Sequence, residues 1–134
     1  MCAAAAAWYL HDPAWVGGVT SGLREWRTDE GTSFRWTNGH AAFYVPGNAR
    51  EMTLPMHIPA VLGTSFDAAP VTVHVSADDR WLADVDVRPG APWTMTTFPL
   101  AGRPSRRFRR IDVRVSRVSG FEMRGVQLGE PRFR

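Results

Sequence analysis

The dipeptide Asn38-Gly39 lies in the middle of the stretch Ser33 to Val45 and is a strong signal for a β-hairpin. A two-residue type I′ turn needs positive φ at both central positions, and Asn and Gly both tolerate that conformation. The turn would fix the register so that Thr37 pairs with His40. Because directly opposed residues share a face, one side of this hairpin would be apolar and buried. That side would carry Phe34, Trp36, Ala41, Phe43 and Val45.

The length and composition of the chain fit one domain. At 134 residues it can bury a core without cross-links, and its single cysteine, Cys2, cannot form an internal disulfide. Every basic residue is arginine. Residues 1–102 hold six Arg and ten acidic residues, whereas residues 103–134 hold ten Arg and three acidic residues. The basic C-terminal third therefore predicts an anionic partner.

Residues 1–15 are predicted to form an apolar N-terminal extension, with a single β-sandwich domain over residues 16–134. The stretch Met1–Leu10 is uncharged and too short to span a bilayer. Three interpretations stay open for this stretch. It is a frayed or docked N-terminal helix, the end of a membrane anchor with Trp8 and Tyr9 at the interface, or a lipoprotein segment acylated on Cys2. We predict that the extension is an anchor or docking segment outside the sandwich core.

Short alternating segments after the hairpin predict an all-β fold. Glu51 to Ile58 alternates apolar and polar residues, and Pro55 places that strand at a sheet edge or on a bulge. Val71 to Val87 predicts a second hairpin that turns at Asp78-Asp79, with Trp81 on its buried face. No helix is predicted after residue 12. We therefore expect an antiparallel jelly-roll-like β-sandwich of about eight strands.

Several local sequences resemble the galactose-binding-like jelly-roll domains. They are Arg35-Trp36-Thr37 followed by Ala41, a valine-rich hairpin with an acidic turn, a Trp-led strand ending in Pro99-Leu100, and a final strand at Gly125-Val126. The resemblance covers roughly residues 33–130. It implies a β-sandwich of the kind appended to bacterial envelope proteins and membrane glycosyltransferases. Many such domains bind sugars through loops at one end, and others only mediate contacts between proteins.

The sequence carries none of the short motifs that mark common catalytic sites. It lacks G-x-S-x-G, H-E-x-x-H and a phosphate-binding loop, and its four His are not spaced as a metal pair. Asp84 and Asp86 share a strand face beside His74, and such a pair is more typical of a solvated strand face than of a catalytic site. We therefore expect no enzyme activity, no cofactor and no metal.

Six tryptophans are many for a chain of this length, and they indicate that glycan binding is an alternative function. Sugar rings stack their C–H faces on aromatic platforms beside planar polar side chains. Judged from strand phase, Trp36 and Trp81 belong to the core. Trp15, Trp26 and Trp93 lie near loops or strand ends and are the candidate stacking residues.

Arginines between residues 103 and 117 form the candidate partner-binding surface. Guanidinium groups recognise carboxylate and phosphate in a bidentate manner. Asp112 can hold Arg110 and Arg114 on one strand face, which leaves the preceding loop as the freer positive surface. The pattern matches no nucleic-acid-binding module, so a nucleic-acid partner is not expected. We expect contact with an acidic protein or an anionic membrane surface through Arg103, Arg106, Arg107 and Arg110.

Together these patterns favour a non-catalytic interaction module. We expect it to be an accessory subunit docked on a larger membrane-associated protein assembly at the bacterial cell envelope, in the periplasm. The alternative is a carbohydrate-binding module that recognises envelope or extracellular glycans.

Overall fold

The computed structural model describes residues 13–60, 69–101, 106–118 and 123–134. The predictions for residues 1–12, with Cys2, Trp8 and Tyr9, and for Arg103 lie outside the described residues. No described segment is a helix with the length and apolar character required to cross a bilayer. A short 3₁₀ helix, Ala14–Gly18, is followed by ten strands within the described ranges. They are β1 Thr20–Leu23, β2 Arg27–Asp29, β3 Thr32–Pro46, β4 Glu51–His57, β5 Val71–Ala77, β6 Arg80–Val87, β7 Thr94–Pro99, β8 Phe108–Val115, β9 Gln127–Gly129 and β10 Arg132–Phe133.

The long strand β3 belongs to both layers of an antiparallel β-sandwich. Its first half pairs with β2 and β9, and its second half pairs with β8, while β1 runs along its other side. One layer, the β8 sheet, has the order β6-β5-β8-β3-β1. The other, the β4 sheet, contains the first half of β3 with β2, β9, β4, β7 and β10. The core between them takes apolar side chains from both sheets, including Phe43, Met52, Leu54, Val73, Val75, Phe98, Ile111 and Leu128.

The predicted hairpin at Asn38-Gly39 is wrong. β3 runs without a turn through these two residues, and neither has the positive φ that a type I′ turn needs. The reason is a set of long-range hydrogen bonds at Thr37, which is fully buried. Its N–H donates to the carbonyl of Val126 at 2.8 Å, and its carbonyl accepts from the N–H of Gly125 at 2.8 Å. Its hydroxyl accepts from the N–H of Val126 at 3.0 Å.

At Thr37 the core-facing side of β3 also changes. Phe43 and Val45 point into the core, whereas Trp36 lies opposite Gln127 on the outer face of the β4 sheet. Trp36 is half-buried, and the guanidinium of Arg124 lies 5.2 Å from its ring centroid. The prediction that Trp36 is a core residue is therefore wrong, because the strand changes sheets immediately after it.

Two tight turns in the described residues have positive φ at successive positions. Asp78-Asp79 joins β5 to β6 with φ of 48° and 64°, which confirms the predicted turn. Glu30-Gly31 joins β2 to β3 with φ of 50° and 79°, and this turn was not predicted. Within the described ranges, two hairpins are therefore made by acidic turns on either side of the Asn-Gly dipeptide.

β4 has the predicted alternation but lies inside its sheet. Met52, Leu54 and Met56 are fully buried. β7 pairs along one side of β4, and β10 and β9 pair with the other side, so the edge position predicted from Pro55 is wrong. Pro55 is tolerated because it lies between the residues that pair with β10 and those that pair with β9.

β6 departs from its predicted faces at Trp81. Val75 opposes Ala83 but Ser76 opposes Trp81, so a bulge shifts the register between these pairs. Leu82 packs against the core, and Trp81 turns outwards with 66% of its surface exposed. The prediction that Trp81 belongs to the core is therefore wrong.

Arg109, at the start of β8, is a buried structural residue. Its side chain is 5% exposed, and its Nε donates to Asp78 Oδ2 at 2.8 Å. A second guanidinium nitrogen donates to the carbonyl of Ala101. Asp78 also accepts the backbone N–H of Arg110 at 3.1 Å. This ion pair therefore ties the β5–β6 turn to the start of β8.

Replacing Thr37 with valine should lower the free energy of unfolding by about 1–3 kcal/mol, because the buried N–H of Val126 would lose its acceptor. Thr28→Val is the matched control, since the Thr28 hydroxyl is exposed and lies 3.3 Å from that of Ser33. The control should change stability by less than about 0.5 kcal/mol. Urea unfolding measures both variants, and equal losses would contradict the role given to Thr37.

Replacing Asp78 with asparagine should lower stability by about 3 kcal/mol, because the buried Arg109 guanidinium would lose its counter-charge. Asparagine tolerates positive φ, so the turn itself stays unstrained. Asp79→Asn tests the neighbouring position, where the carboxylate is 83% exposed and pairs with Arg110. That substitution should cost less than about 1 kcal/mol. Similar denaturation midpoints for the two variants would show that the Arg109 pair is not structural.

Candidate functional site

A groove on the outer face of the β4 sheet contains Trp93, one of the three predicted stacking residues. The groove has a volume of about 490 Å³. Pro55, Gly129 and Met95 supply apolar surface to it. A Cβ on Gly129 would lie 2.8 Å from Pro55 and 3.6 Å from the Trp93 ring, so the glycine keeps this surface open. The polar lining residues are Thr32, Ser33, Glu130 and Arg132.

The indole of Trp93 is fixed by residues from neighbouring strands. His57 stacks on it, with ring centroids 4.9 Å apart and an interplanar angle of 19°. Phe34 packs against it with a centroid distance of 6.3 Å. Gln127, which is 7% exposed, accepts a hydrogen bond through Oε1 from His57 Nδ1 at 2.6 Å. Since His57 covers one face of the indole, the opposite face and the ring edge are the parts that can line the groove.

Trp15 and Trp26, the other two predicted stacking residues, do not line this groove. Trp15 belongs to the 3₁₀ helix and is 71% exposed. Trp26 precedes β2, is 46% exposed, and has the guanidinium of Arg35 4.4 Å from its ring centroid. Partial burial lowers the pKa of Arg35 from its ordinary value. The three tryptophans are therefore not parts of one site.

A second aromatic group, on the outer face of the β8 sheet, was missed by the sequence analysis. Trp81 Nε1 donates to Asp84 Oδ1 at 2.7 Å, and the same oxygen accepts from His74 Nδ1 at 2.7 Å. The hydrogen bond from Trp81, followed by that from His74, lowers the pKa of Asp84. The alternation of polar and apolar residues predicted that Asp84 lies beside His74. It could not predict the bulge that brings Trp81 to the same face. In the described residues, no three His, Cys, Asp or Glu side chains are grouped to hold a metal ion.

Arg110, a predicted partner-binding residue, is already paired within the β8 sheet. Its Nε donates to Asp112 Oδ2 at 2.9 Å, and its terminal nitrogen lies 2.6 Å from Asp79 Oδ1. The hydrogen bond to Asp112 is the main cause of a raised pKa of Arg110, and the negative charges of Asp112 and Asp79 raise it further. The other oxygen of Asp112 accepts from His40 Nε2 at 2.7 Å. The prediction that Asp112 also holds Arg114 is therefore wrong, because His40 takes that position.

The remaining predicted arginines lie at one end of the same sheet. Arg106 lines a recess of about 210 Å³ together with Asp78, Asp79 and other residues. The guanidinium of Arg107 lies 5.6 Å from the ring centroid of Phe108. Carboxylates are therefore interspersed with the cations that the sequence grouped together. Binding of an anionic partner by these arginines stays a prediction.

Replacing Asp84 with asparagine should lower the melting temperature near neutral pH and have no effect in strong acid. The folded-state pKa of Asp84 lies below its ordinary value of 3.8, so its bonds to Trp81 and His74 stabilise the fold above that value. This stabilisation is lost as the pH falls through the lowered pKa. Thermal melts of both proteins from about pH 7 downwards should therefore converge below the ordinary value. A difference that stays constant across this range would contradict the assignment.

Solved structures of other proteins share the fold of this chain. No family model and no curated protein matches the sequence. Solved structures do match, among them CBM51 from Clostridium perfringens GH95 in complex with methyl-galactose, with a TM-score of 0.52 and 11% identity over 87% of this chain and 92% of that one. The C-terminal CBM6 of the laminarinase LamC from Zobellia galactanivorans has a TM-score of 0.51 and 10% identity over 86% and 90% of the two chains.

The fold also occurs as a small part of longer chains. The structure containing the M60 catalytic domain and two CBM51 domains of Clostridium perfringens ZmpB matches with a TM-score of 0.52 and 11% identity. The match covers 86% of this chain but only 14% of that one. All three structures contain carbohydrate-binding modules, and identities this low describe architecture alone. The chain therefore has the galactose-binding-like, jelly-roll β-sandwich fold that the sequence resemblance implied.

Proposed function

We propose that this chain is a non-catalytic carbohydrate-binding module and that the groove at Trp93 binds a sugar ring. The observation that carries the proposal is an aromatic ring fixed in an open groove that combines apolar and polar surface. Pyranose rings present C–H groups on their faces and hydroxyls around their edges. A site for them needs an apolar platform with polar groups at its margin, which Trp93 and the surrounding residues supply.

The size of the groove suits this ligand class. Its volume of about 490 Å³ lies within the range of roughly 300–1,000 Å³ that small-molecule sites occupy. Thr32 and Ser33 offer hydroxyls, while Glu130 and Arg132 offer an acceptor and a donor for ring hydroxyls. One charge of each sign lines the groove, so it favours a neutral sugar over a strongly charged one.

The support behind Trp93 favours binding over a merely structural role. Gln127 orients His57, and His57 holds the indole, so the platform exists before the ligand arrives. A ring that is already ordered loses little conformational entropy on binding. The solved structures with the same architecture are consistent with this proposal, since one of them was obtained with methyl-galactose. Docking as an accessory subunit on a membrane-associated assembly, and a location at the bacterial envelope, stay predictions.

Replacing Trp93 with alanine should weaken binding of neutral oligosaccharides by at least about tenfold, because loss of a stacked ring removes about 1.4 kcal/mol or more. Trp15→Ala is the matched control, since Trp15 is exposed but does not line the groove. Affinity electrophoresis with neutral galactans, glucans and xylans identifies a ligand, and calorimetry then compares the variants.

Two outcomes would contradict the proposal. One is a wild-type protein that is retarded by none of these polymers. The other is a Trp93→Ala variant with a wild-type melting temperature that binds as tightly as the wild type. Equal weakening by Trp15→Ala would place the binding surface at the 3₁₀ helix instead.

A further inference from the structure

Arg114 lies at the centre of a row of polar side chains across the outer face of the β8 sheet. The β-sheet register places His40 of β3 directly opposite Arg114 on one side and His74 of β5 directly opposite on the other. Asp84 of β6 continues the row beyond His74. Adjacent strands are about 4.8 Å apart, so one histidine flanks Arg114 at one strand spacing on each side.

Both imidazoles are oriented by carboxylates. His40 donates through Nε2 to Asp112, and His74 donates through Nδ1 to Asp84, each at 2.7 Å. Each carboxylate has a further donor, since Asp112 also accepts from Arg110 and Asp84 also accepts from Trp81. The negative charges beside Arg114 are therefore already engaged by neighbouring groups.

Arg114 differs from the other cations of this face. Its side chain is exposed, and no described residue forms a hydrogen bond or an ion pair with its guanidinium. A guanidinium held on a rigid sheet without a counter-ion can take a carboxylate or a sulfate in a bidentate manner. This strand therefore offers an anion-binding group that the fold itself does not use.

Trp81 gives the same face an aromatic platform. It lies on β6, two strands or about 10 Å from the strand of Arg114. Its indole N–H is anchored on Asp84, and Asp84 is also bonded to His74, the residue next to Arg114. A sugar ring stacked on Trp81 can therefore extend a carboxylate or sulfate group past His74 towards Arg114.

We propose that Arg114, His74 and Trp81 form a second binding site, for an anionic sugar whose ring stacks on Trp81 and whose carboxylate or sulfate is bound by Arg114. This site is on the opposite sheet from the Trp93 groove and does not depend on the function proposed for that groove. Beyond His40, a recess of about 280 Å³ lined by Tyr44 and Ser21 gives room for a neighbouring sugar unit.

The charges around the site select against a nucleic acid. Binding of a phosphate backbone needs several cations along a track. Here Asp84, Asp86 and Asp112 lie on the same face as Arg114, and Arg110 is paired. One guanidinium without a partner among the described residues, two strands from an aromatic ring, fits a ligand with one negative charge on each sugar ring, which describes a uronate or a monosulfated sugar.

The test measures binding of the full chain to three polymers by affinity electrophoresis and calorimetry. They are polygalacturonate, its fully methyl-esterified form, and a sulfated galactan. The wild type should bind at least one of the two anionic polymers. If the bound group is a carboxylate, the wild type should bind the neutral ester at least about tenfold more weakly than polygalacturonate. Preference for the sulfated galactan alone would assign the bound group as sulfate and leave the site as proposed.

Variants separate this site from general charge attraction and from the Trp93 groove. Arg114→Gln and Trp81→Ala should each weaken binding of the anionic polymer by at least about tenfold. Arg88→Gln, which removes the same charge from an exposed loop, and Trp93→Ala should leave it unchanged. Arg114→Lys, which keeps the charge but loses the planar fork, should have an intermediate effect.

Failure of the wild type to bind either anionic polymer would overturn the proposal. Equal losses for Arg114→Gln and Arg88→Gln would overturn it as well, because only net charge would then matter. Melting temperatures of all variants establish that each is folded. Loss of anionic binding in Trp93→Ala would reassign the ligand to the groove.

Discussion

The hydrogen bonds between Thr37 and the segment Gly125-Val126 are the constraint on which the rest of this structure depends. They use the N–H, the carbonyl and the hydroxyl of one fully buried residue. They hold β3 extended where it leaves β9 and joins β8. Because one strand is thereby shared by both sheets, the two layers keep a fixed relation, and the side chains on each outer face keep a fixed register.

This constraint explains which parts of the fold the sequence could predict. The alternation of β4 and β5 and the turn at Asp78-Asp79 were predictable because they are set by neighbouring residues. The Asn38-Gly39 hairpin failed because three bonds from a segment almost ninety residues away outweigh a local turn preference. Trp81 was misplaced because a one-residue bulge reverses the face of every position beyond it.

The candidate sites divide in the same way. The position of Trp93 at a strand end was predictable, because it comes just before β7. Its supports were not, because His57 comes from β4 and Gln127 from β9, and only the sheet register brings them together. The row of His40, Arg114 and His74 likewise comes from three strands that are distant in sequence. Arginine spacing alone grouped Arg109 with exposed residues, although it is buried against Asp78.

We propose that one indole on each outer face binds a sugar, Trp93 on the β4 sheet and Trp81 on the β8 sheet. The indole N–H resonances of the six tryptophans, assigned with single Trp→Phe variants, test this in two ¹H–¹⁵N NMR titrations. We expect a neutral oligosaccharide to shift the Trp93 resonance and an anionic oligosaccharide to shift the Trp81 resonance, with the Trp15 resonance unchanged in both. Shifts confined to Trp15 or Trp26, with Trp93 and Trp81 unchanged at saturation, would contradict it.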